Sequence, residues 1–321
     1  MSKIYCIGEL LIDMVCIDGK GLKNGDKFEK KAGGAPANVA CTISKMGKRA
    51  SFIGQIGKDY FGEYLGEVLD EYSIDKSLCT YGGNTTIALV GIDESGERNF
   101  NFIRGCDGDY KYNNIISNYF TNEDILHFGS ATAFLGGELK ETYFKLLDLA
   151  IRSNMFISFD PNYRDSLISE ELLQQFVENC IHFISKSDFV KMSEEEVLLI
   201  TKESNIELAI KKIHSLGAKI VTVTLGSKGT ILSYNNEISI VNSIKINQVD
   251  STGAGDSFVG AMLSFISELK HRNYSYYELK KICKKANIVG AITCTKYGVM
   301  DSIPNLEEVN KLINSLIFME L

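Results

Sequence analysis

Val249-Asp250-Ser251-Thr252-Gly253-Ala254-Gly255-Asp256-Ser257-Phe258-Val259-Gly260 opens a run whose apolar residues fall at Phe258, Val259, Met262, Leu263, Phe265 and Ile266. That spacing predicts a helix with Gly253-Ala254-Gly255 at its N-terminus. The first amides of a helix have no partner inside it, and the helix dipole adds partial positive charge there. Small residues let an anion come close to that backbone. The stretch is therefore a place for phosphate oxygens and for charge building on a transferred phosphoryl group. Asp256 falls in the first turn beside it. With a reference pKa of about 3.9, it is expected to be ionised and able to accept a hydroxyl proton. The competing reading is a glycine turn with an acid complementing the dipole. No GxxxxGK[ST] and no GxGxxG occurs, so neither a Walker loop nor a dinucleotide fingerprint is available.

Outward from this stretch, short apolar runs alternate with helical patterns. Strands are expected at Ile4–Ile7, Ser51–Ile56, Ile125–Phe128, Phe156–Phe159, Phe189–Met192 and Ile220–Leu225. Helical spacing fills Ala37–Met46, Phe61–Tyr72, Leu139–Arg152, Glu170–Ile184 and Glu207–Leu216. Such alternation predicts a mostly parallel sheet covered on both faces. Two stretches break the pattern. Met14–Lys31 is rich in glycine and lysine. Thr86–Ile92 and Arg98–Ile103 read as strands joined by a turn at Asp93-Glu94-Ser95-Gly96-Glu97. Together they suit a small β lid over a ligand, or an ordinary hairpin at the sheet edge. The expected organisation is one domain over 1–321, with a lid from about 14–33 and 84–106.

The bulk numbers exclude several classes. The chain has 321 residues, 45% of them hydrophobic, enough for a full core. A net charge of -7 with no basic run disfavours nucleic acid and anionic membranes as partners. No stretch reaches eighteen apolar residues, and the N-terminal one is broken by Glu9 and Asp13. Eight cysteines never form CxxC, which fits reduced thiols and a cytoplasmic location. The four histidines stand alone, none at metal-ligand spacing.

Asp250-Ser-Thr-Gly-Ala-Gly-Asp256-Ser-Phe resembles the C-terminal signature of the ribokinase/pfkB family of sugar kinases. Gly33-Gly34-Ala35-Pro36-Ala37-Asn38-Val39-Ala40 resembles the N-terminal signature, in its fructokinase version. Gly8-Glu9-Leu10-Leu11-Ile12-Asp13 is similar to the fructokinase opening. Further likeness lies at Asp160-Pro161-Asn162-Tyr163-Arg164, Lys191-Met192-Ser193-Glu194-Glu195-Glu196, Thr224-Leu225-Gly226-Ser227-Lys228-Gly229 and Ala286-Asn287-Ile288-Val289-Gly290-Ala291. The resemblance covers essentially the whole chain. It implies a ribokinase-like three-layer α/β/α sandwich with a β-strand lid, and a kinase using ATP and Mg2+, with K+ as activator.

The resemblance also implies roles. Asp13, Gly33, Gly34 and Asn38 would bind the sugar, with Arg104 a further substrate contact or a surface salt bridge. Arg164 would work near the substrate or the transferring phosphate. Thr224, Gly226, Gly229, Gly255 and Asn287 would form the nucleotide site. Lys228 would reach a phosphate or stand exposed. Glu196 would organise Mg2+ through water, although Ser193 stands where the family has asparagine. Asp250 and Thr252 resemble monovalent-cation ligands. A homodimer through the lid is common in the family. D-fructose is the expected substrate. The alternatives are 2-keto-3-deoxygluconate or another sugar, and, in a different class, a non-catalytic sugar- or nucleotide-binding regulator.

Overall fold

The alternating apolar runs become one mixed sheet in the computed structural model, which describes residues 2–92, 98–269 and 271–319. Its strand order is Glu237–Val241, Thr230–Tyr234, Ile220–Thr224, Phe189–Ser193, Phe156–Phe159, Ile125–Phe128, Lys3–Ile7 and Arg49–Ile53. The six from Ile220–Thr224 to Arg49–Ile53 pair in parallel, and the two at the other edge are antiparallel. Side chains alternate between faces, as a period of two requires. Ile4, Cys6, Phe189 and Ile220 join one buried cluster, and Tyr5, Ile7, Val190 and Val221 join the other. Helices Ala35–Lys45, Ala254–Ile266 and Tyr276–Thr293 cover the first face. Helices Glu138–Arg152, Glu170–Ile184 and Ile206–Leu216 cover the second. This is the expected three-layer sandwich.

A second sheet, ordered Phe28–Gly33, Leu11–Cys16, Thr86–Ile92 and Arg98–Ile103, stands beside the first. It takes in most of the two stretches read as a lid. The turn expected at 93–97 lies outside the described residues. Two expectations need correction here. The strand expected over Ile4–Ile7 stops there, and Asp13 does not close it. Gly8, at φ +146°, turns the chain instead, and Asp13 sits inside Leu11–Cys16, paired with Lys31 and Ala88. The strand expected over Ser51–Ile56 is two strands in two sheets. It breaks at Gly54, where a Cβ would come within 2.5 Å of the Gly8 carbonyl oxygen.

In parallel sheets with helices on both faces, ligands gather beyond the carboxyl ends of the strands. Gly8–Glu9, Gly129–Ser130, Asp160–Asn162, Ser193 and Leu225–Gly226 all lie at or just past those ends.

Candidate active site

The helix starting at Ala254 is capped by Gly253, which adopts φ +72°. A Cβ there would lie 2.1 Å from Val299 Cγ1, so only glycine satisfies both the conformation and the packing. Ala254 N–H is bonded to Ser251 O at 3.3 Å. Among the described residues, the N–H groups of Gly255 and Asp256 have no acceptor. The cradle expected over Gly253–Gly255 thus centres one residue later than its sequence suggested, because the turn before it consumes the Ala254 donor.

Asp256 is buried, and Asn38 Nδ2 donates to its Oδ2 at 2.9 Å. This contact joins two helices distant in sequence. Gly260 makes their close approach feasible, since a Cβ there would meet Thr42 Cβ at 2.5 Å. Burial pushes the pKa of Asp256 above the ordinary value. The Asn38 hydrogen bond and the charges of Arg164 and Lys191 oppose that shift, and Glu196 adds to it.

Asp13 approaches from the second sheet. A Cβ on Gly33 would fall 2.1 Å from Asp13 Oδ2, so the bare glycine makes room for this carboxyl. Burial, with the negative charges of Asp256 and Asp250, pushes Asp13 up to about 7, against the pull of Arg164. Arg164 itself is exposed, and Nη1 donates to Tyr163 O at 3.1 Å. Its influence on both acids places it at the mouth of the site.

Helix Ala35–Lys45 starts at Gly34 without a side-chain cap of its own. Glu9 supplies the missing acceptor from the link between the sheets. Its Oε1 accepts from Ala35 N at 3.2 Å and from Ala131 N at 3.3 Å. A carboxylate suits a helix N-terminus, yet burial pushes Glu9 up to about 7. Gly34, at φ +109°, leaves its Cβ position 2.4 Å from Glu9 O. Among the described residues, Glu9 Oε2 and Asn38 Oδ1 are buried without a hydrogen-bond partner. Glu9 was quoted only as part of a motif, and its role depends on contacts 26 and 122 residues away. No local pattern exposes those.

A second buried set lies beneath. Lys191 Nζ pairs with Asp160 Oδ2 at 2.9 Å. Glu196 Oε1 accepts from Tyr163 N at 2.8 Å, and its Oε2 accepts from Ser193 N at 2.6 Å. Ser193 Oγ in turn accepts from Glu196 N at 3.1 Å, closing a capping box. The serine that departs from the family pattern is thus the N-cap of helix Glu194–Thr201. The charge of Glu196 acts on Asp160, Lys191 and Asp256 alike.

Beyond the cradle opens a cavity of about 530 Å3, lined by Thr224, Gly226, Gly229, Ala254, Gly255 and Asn287 among others. Lys228 is exposed and does not line it. Asn287 Oδ1 accepts from Thr230 Oγ1 at 2.7 Å, and Nδ2 donates to Val241 O at 2.7 Å. Its side chain therefore braces the wall. Asp250 Oδ1 accepts from Thr252 N at 3.0 Å and from Thr252 Oγ1 at 2.7 Å, folding the two together before the cradle.

Arg104 ends the strand Arg98–Ile103. Nη2 donates to Gly136 O at 3.0 Å and Thr132 O at 3.3 Å, and Nε to Asp107 at 3.4 Å. It ties the second sheet to the loop after Ile125–Phe128. His127 is buried and hydrogen-bonded to Ser158 Oγ at 2.9 Å, its pKa held down at about 3 by burial.

The description "pfkB family carbohydrate kinase" matches residues 1–306. The chain is 32% identical over 320 residues to probable fructokinase-4 of Arabidopsis thaliana, covering 97% of each chain. It superposes on the fructokinase of Vibrio cholerae O395 in a form with fructose, ADP and calcium ion bound. The TM-score is 0.85 at 27% identity, over 97% of this chain and 98% of the other. A double mutant of that fructokinase, with fructose, ADP and potassium ion bound, gives the same TM-score, identity and coverage. Signatures and sandwich agree with these likenesses, and the chain belongs to the pfkB family of carbohydrate kinases.

Proposed function

We propose that this kinase transfers the terminal phosphoryl group of ATP to D-fructose, giving fructose 6-phosphate and ADP. The observation that carries the reading is the position of Asp256. Its carboxylate stands beside two unpartnered helix amides, on the same side as Asp13. Curated and solved relatives named as fructokinases support the choice of sugar.

Fructose lies between Asp13, the Gly33–Gly34 backbone, Asn38 and Asp256. Asp13 accepts hydrogen bonds from two sugar hydroxyls, and Asn38 Oδ1 offers a further buried acceptor. Asp256 accepts the proton of the attacking hydroxyl. A loose phosphoryl-transfer transition state needs only a weak base. The Gly255 and Asp256 amides meet the charge building on the transferred group. ATP extends into the cavity bordered by Thr224, Gly226, Gly229 and Asn287. The second sheet acts as a lid that excludes water, with Arg104 fixing one end of it.

The donor set fits a magnesium ion carried on the nucleotide. Glu196 is a buried carboxylate whose charge reaches Asp256. Among the described residues no group of three His, Cys, Asp or Glu could hold a metal alone. Magnesium keeps several waters and takes phosphate oxygens, so Glu196 through water suffices. When bound, the ion neutralises charge on the phosphates. Asp250 and Thr252 fit a monovalent cation, because the two fold together and bring a carboxylate and a hydroxyl oxygen to one place before the cradle. Potassium is the expected ion, as in the Vibrio relative. Ile17 and Phe100 are exposed on one face of the second sheet and Phe28 and Ile103 on the other, apolar side chains that a homodimer formed through this sheet would cover. Eight unpaired cysteines support a cytoplasmic setting.

A second reading rests on Arg164, whose exposed guanidinium at the mouth would suit the carboxylate of 2-keto-3-deoxygluconate. The test is ADP release from MgATP with fructose, ribose, 2-keto-3-deoxygluconate, tagatose or adenosine, with and without potassium. Turnover with fructose alone supports the reading. Preference for the acid sugar replaces the substrate, and no turnover at all favours a binding protein on the same scaffold.

A further inference from the structure

Lys191 is a charge for which the phosphoryl transfer just described has no use. It lies in the middle of strand Phe189–Ser193 and is 7% exposed. Burying an ammonium is costly unless it is paired. Asp160 pairs it at 2.9 Å, and the pair joins the end of strand Phe156–Phe159 to the middle of its neighbour Phe189–Ser193. Burial works against the charge, but Asp160, Glu196 and Asp256 outweigh it and hold the pKa above that of an ordinary lysine.

The direction of the side chain matters more than the pair. A Cβ built on Gly255 would lie 3.0 Å from Lys191 Nζ and 3.5 Å from Cε. The ammonium therefore rests against the first turn of helix Ala254–Ile266, next to the Gly255 donor that has no acceptor. At such range in a buried site, a full charge acts far more strongly than in water. It also adds to the half charge of the helix end. Arg164, the other cation near Asp256, is exposed to solvent and screened.

We propose that Lys191, held in place by Asp160, is a positioning residue for phosphoryl transfer, its ammonium fixing positive charge beneath the Gly255 amide where the transferred group gathers negative charge. This rests on the kinase reading above. It also accounts for glycine at 255, since any side chain there would press on Nζ. The rival account is a pair that only ties two strands together.

The experiment separates the two by removing both charges. Lys191→Met alone leaves Asp160 buried without its partner and is expected to melt early. The double variant K191M/D160N leaves no orphan charge. Full-length wild type, K191M, K191R and K191M/D160N are compared by thermal melting, by steady-state kinetics and by calorimetric titration with MgADP. The double variant is expected to melt close to wild type, with fructose KM within about two-fold and kcat lower by about 10²-fold. MgADP should bind about ten-fold more weakly to it, and K191R should regain most of the lost kcat by keeping the charge. A double variant with wild-type melting and kcat within about three-fold of wild type overturns the proposal. So does one that loses both melting and turnover, because the pair then acts through the fold. A wild type without sugar-dependent ADP release would break the kinase reading instead, and the MgADP titration would still report on Lys191.

Discussion

The side of the cleft proposed for the sugar gathers Glu9, Asp13 and Asp256. The lining of the nucleotide side, among the described residues, carries no acid at all. Thr224, Gly226, Gly229 and Asn287 offer small or neutral groups there, and Asn287 is already braced on both sides. The division fits the ligands of the proposed reaction. A triphosphate repels carboxylates and is served by amides and a helix end. A sugar offers hydroxyls, which carboxylates accept well. The acids gather at the cost of their own ionisation: burial lifts Asp13 and Glu9 to about 7 and raises Asp256 as well. One end of the cleft is thus sensitive to protons and the other is not.

The comparison breaks first at Asp256. Asp256→Asn keeps the shape and the Asn38 contact but removes the base, and kcat should fall by on the order of 10²–10⁴. ADP release at saturating sugar reads this, and turnover near wild type would sink the assignment. Next comes the hinge between the two ends. Gly253→Ala forces a side chain into φ +72° and into Val299. It should destabilise the chain by about 1–3 kcal/mol and lower kcat with it. A variant with unchanged melting would show that the turn has another conformation open to it.

Asp13 and Glu9 sharpen the contrast through pH. Their folded pKa values of about 7 lie above the unfolded values of about 3.9 and 4.3. The folded state therefore binds protons more tightly. The stability these acids add is present below about pH 4 and is lost as pH rises through 7. The ligand-free protein should melt at a lower temperature at pH 8 than at pH 5, and Asp13→Asn should flatten that slope. In the same window kcat/KM for the sugar should rise as Asp13 ionises. A melting point that climbs with pH would contradict the buried state of these carboxyls.

How much of this was legible in the sequence depended on range. Ile125–Phe128 and Phe156–Phe159 were read to their ends because short apolar runs bounded by breakers carry their own signal. The helix start at Gly253–Ala254 was legible from the glycines before a helical pattern. Asp13 lies one strand further on than expected, because Gly8 bends the chain and the strand after it is set by pairing with Lys31 and Ala88, both distant in sequence. The split near Gly54 was hidden for a related reason: the Gly8 carbonyl that crowds it is distant in sequence. Glu9 and Lys191 belonged to quoted motifs, yet what they touch is set by how helices and strand ends meet. Ser193 is the converse case. A residue that looked like a lost ligand turns out to be a helix cap, for which serine is as apt as asparagine.

On the nucleotide side the expected effects are smaller. Asn287→Ala leaves Thr230 Oγ1 and Val241 O without partners in a buried wall. Stability should fall by about 1–3 kcal/mol. KM for ATP should rise several-fold while KM for the sugar stays put, since Asn287 lies on the nucleotide side alone. A change in sugar KM would mean that the two ends communicate through the wall.

Lys228 gives the smallest effect and the cleanest boundary for the nucleotide side. The resemblance implies that it either reaches a phosphate or stands exposed. The structure leaves its side chain exposed outside the cavity lining, so any pull on a phosphate is screened by solvent. Lys228→Ala should change ATP KM by less than about two-fold and stability by less than about 0.5 kcal/mol. A rise of ten-fold or more in ATP KM, with sugar KM unchanged, would mean that this turn folds over the triphosphate when it binds. The positive charge at the cradle would then come from a side chain that moves as well as from groups fixed in the core.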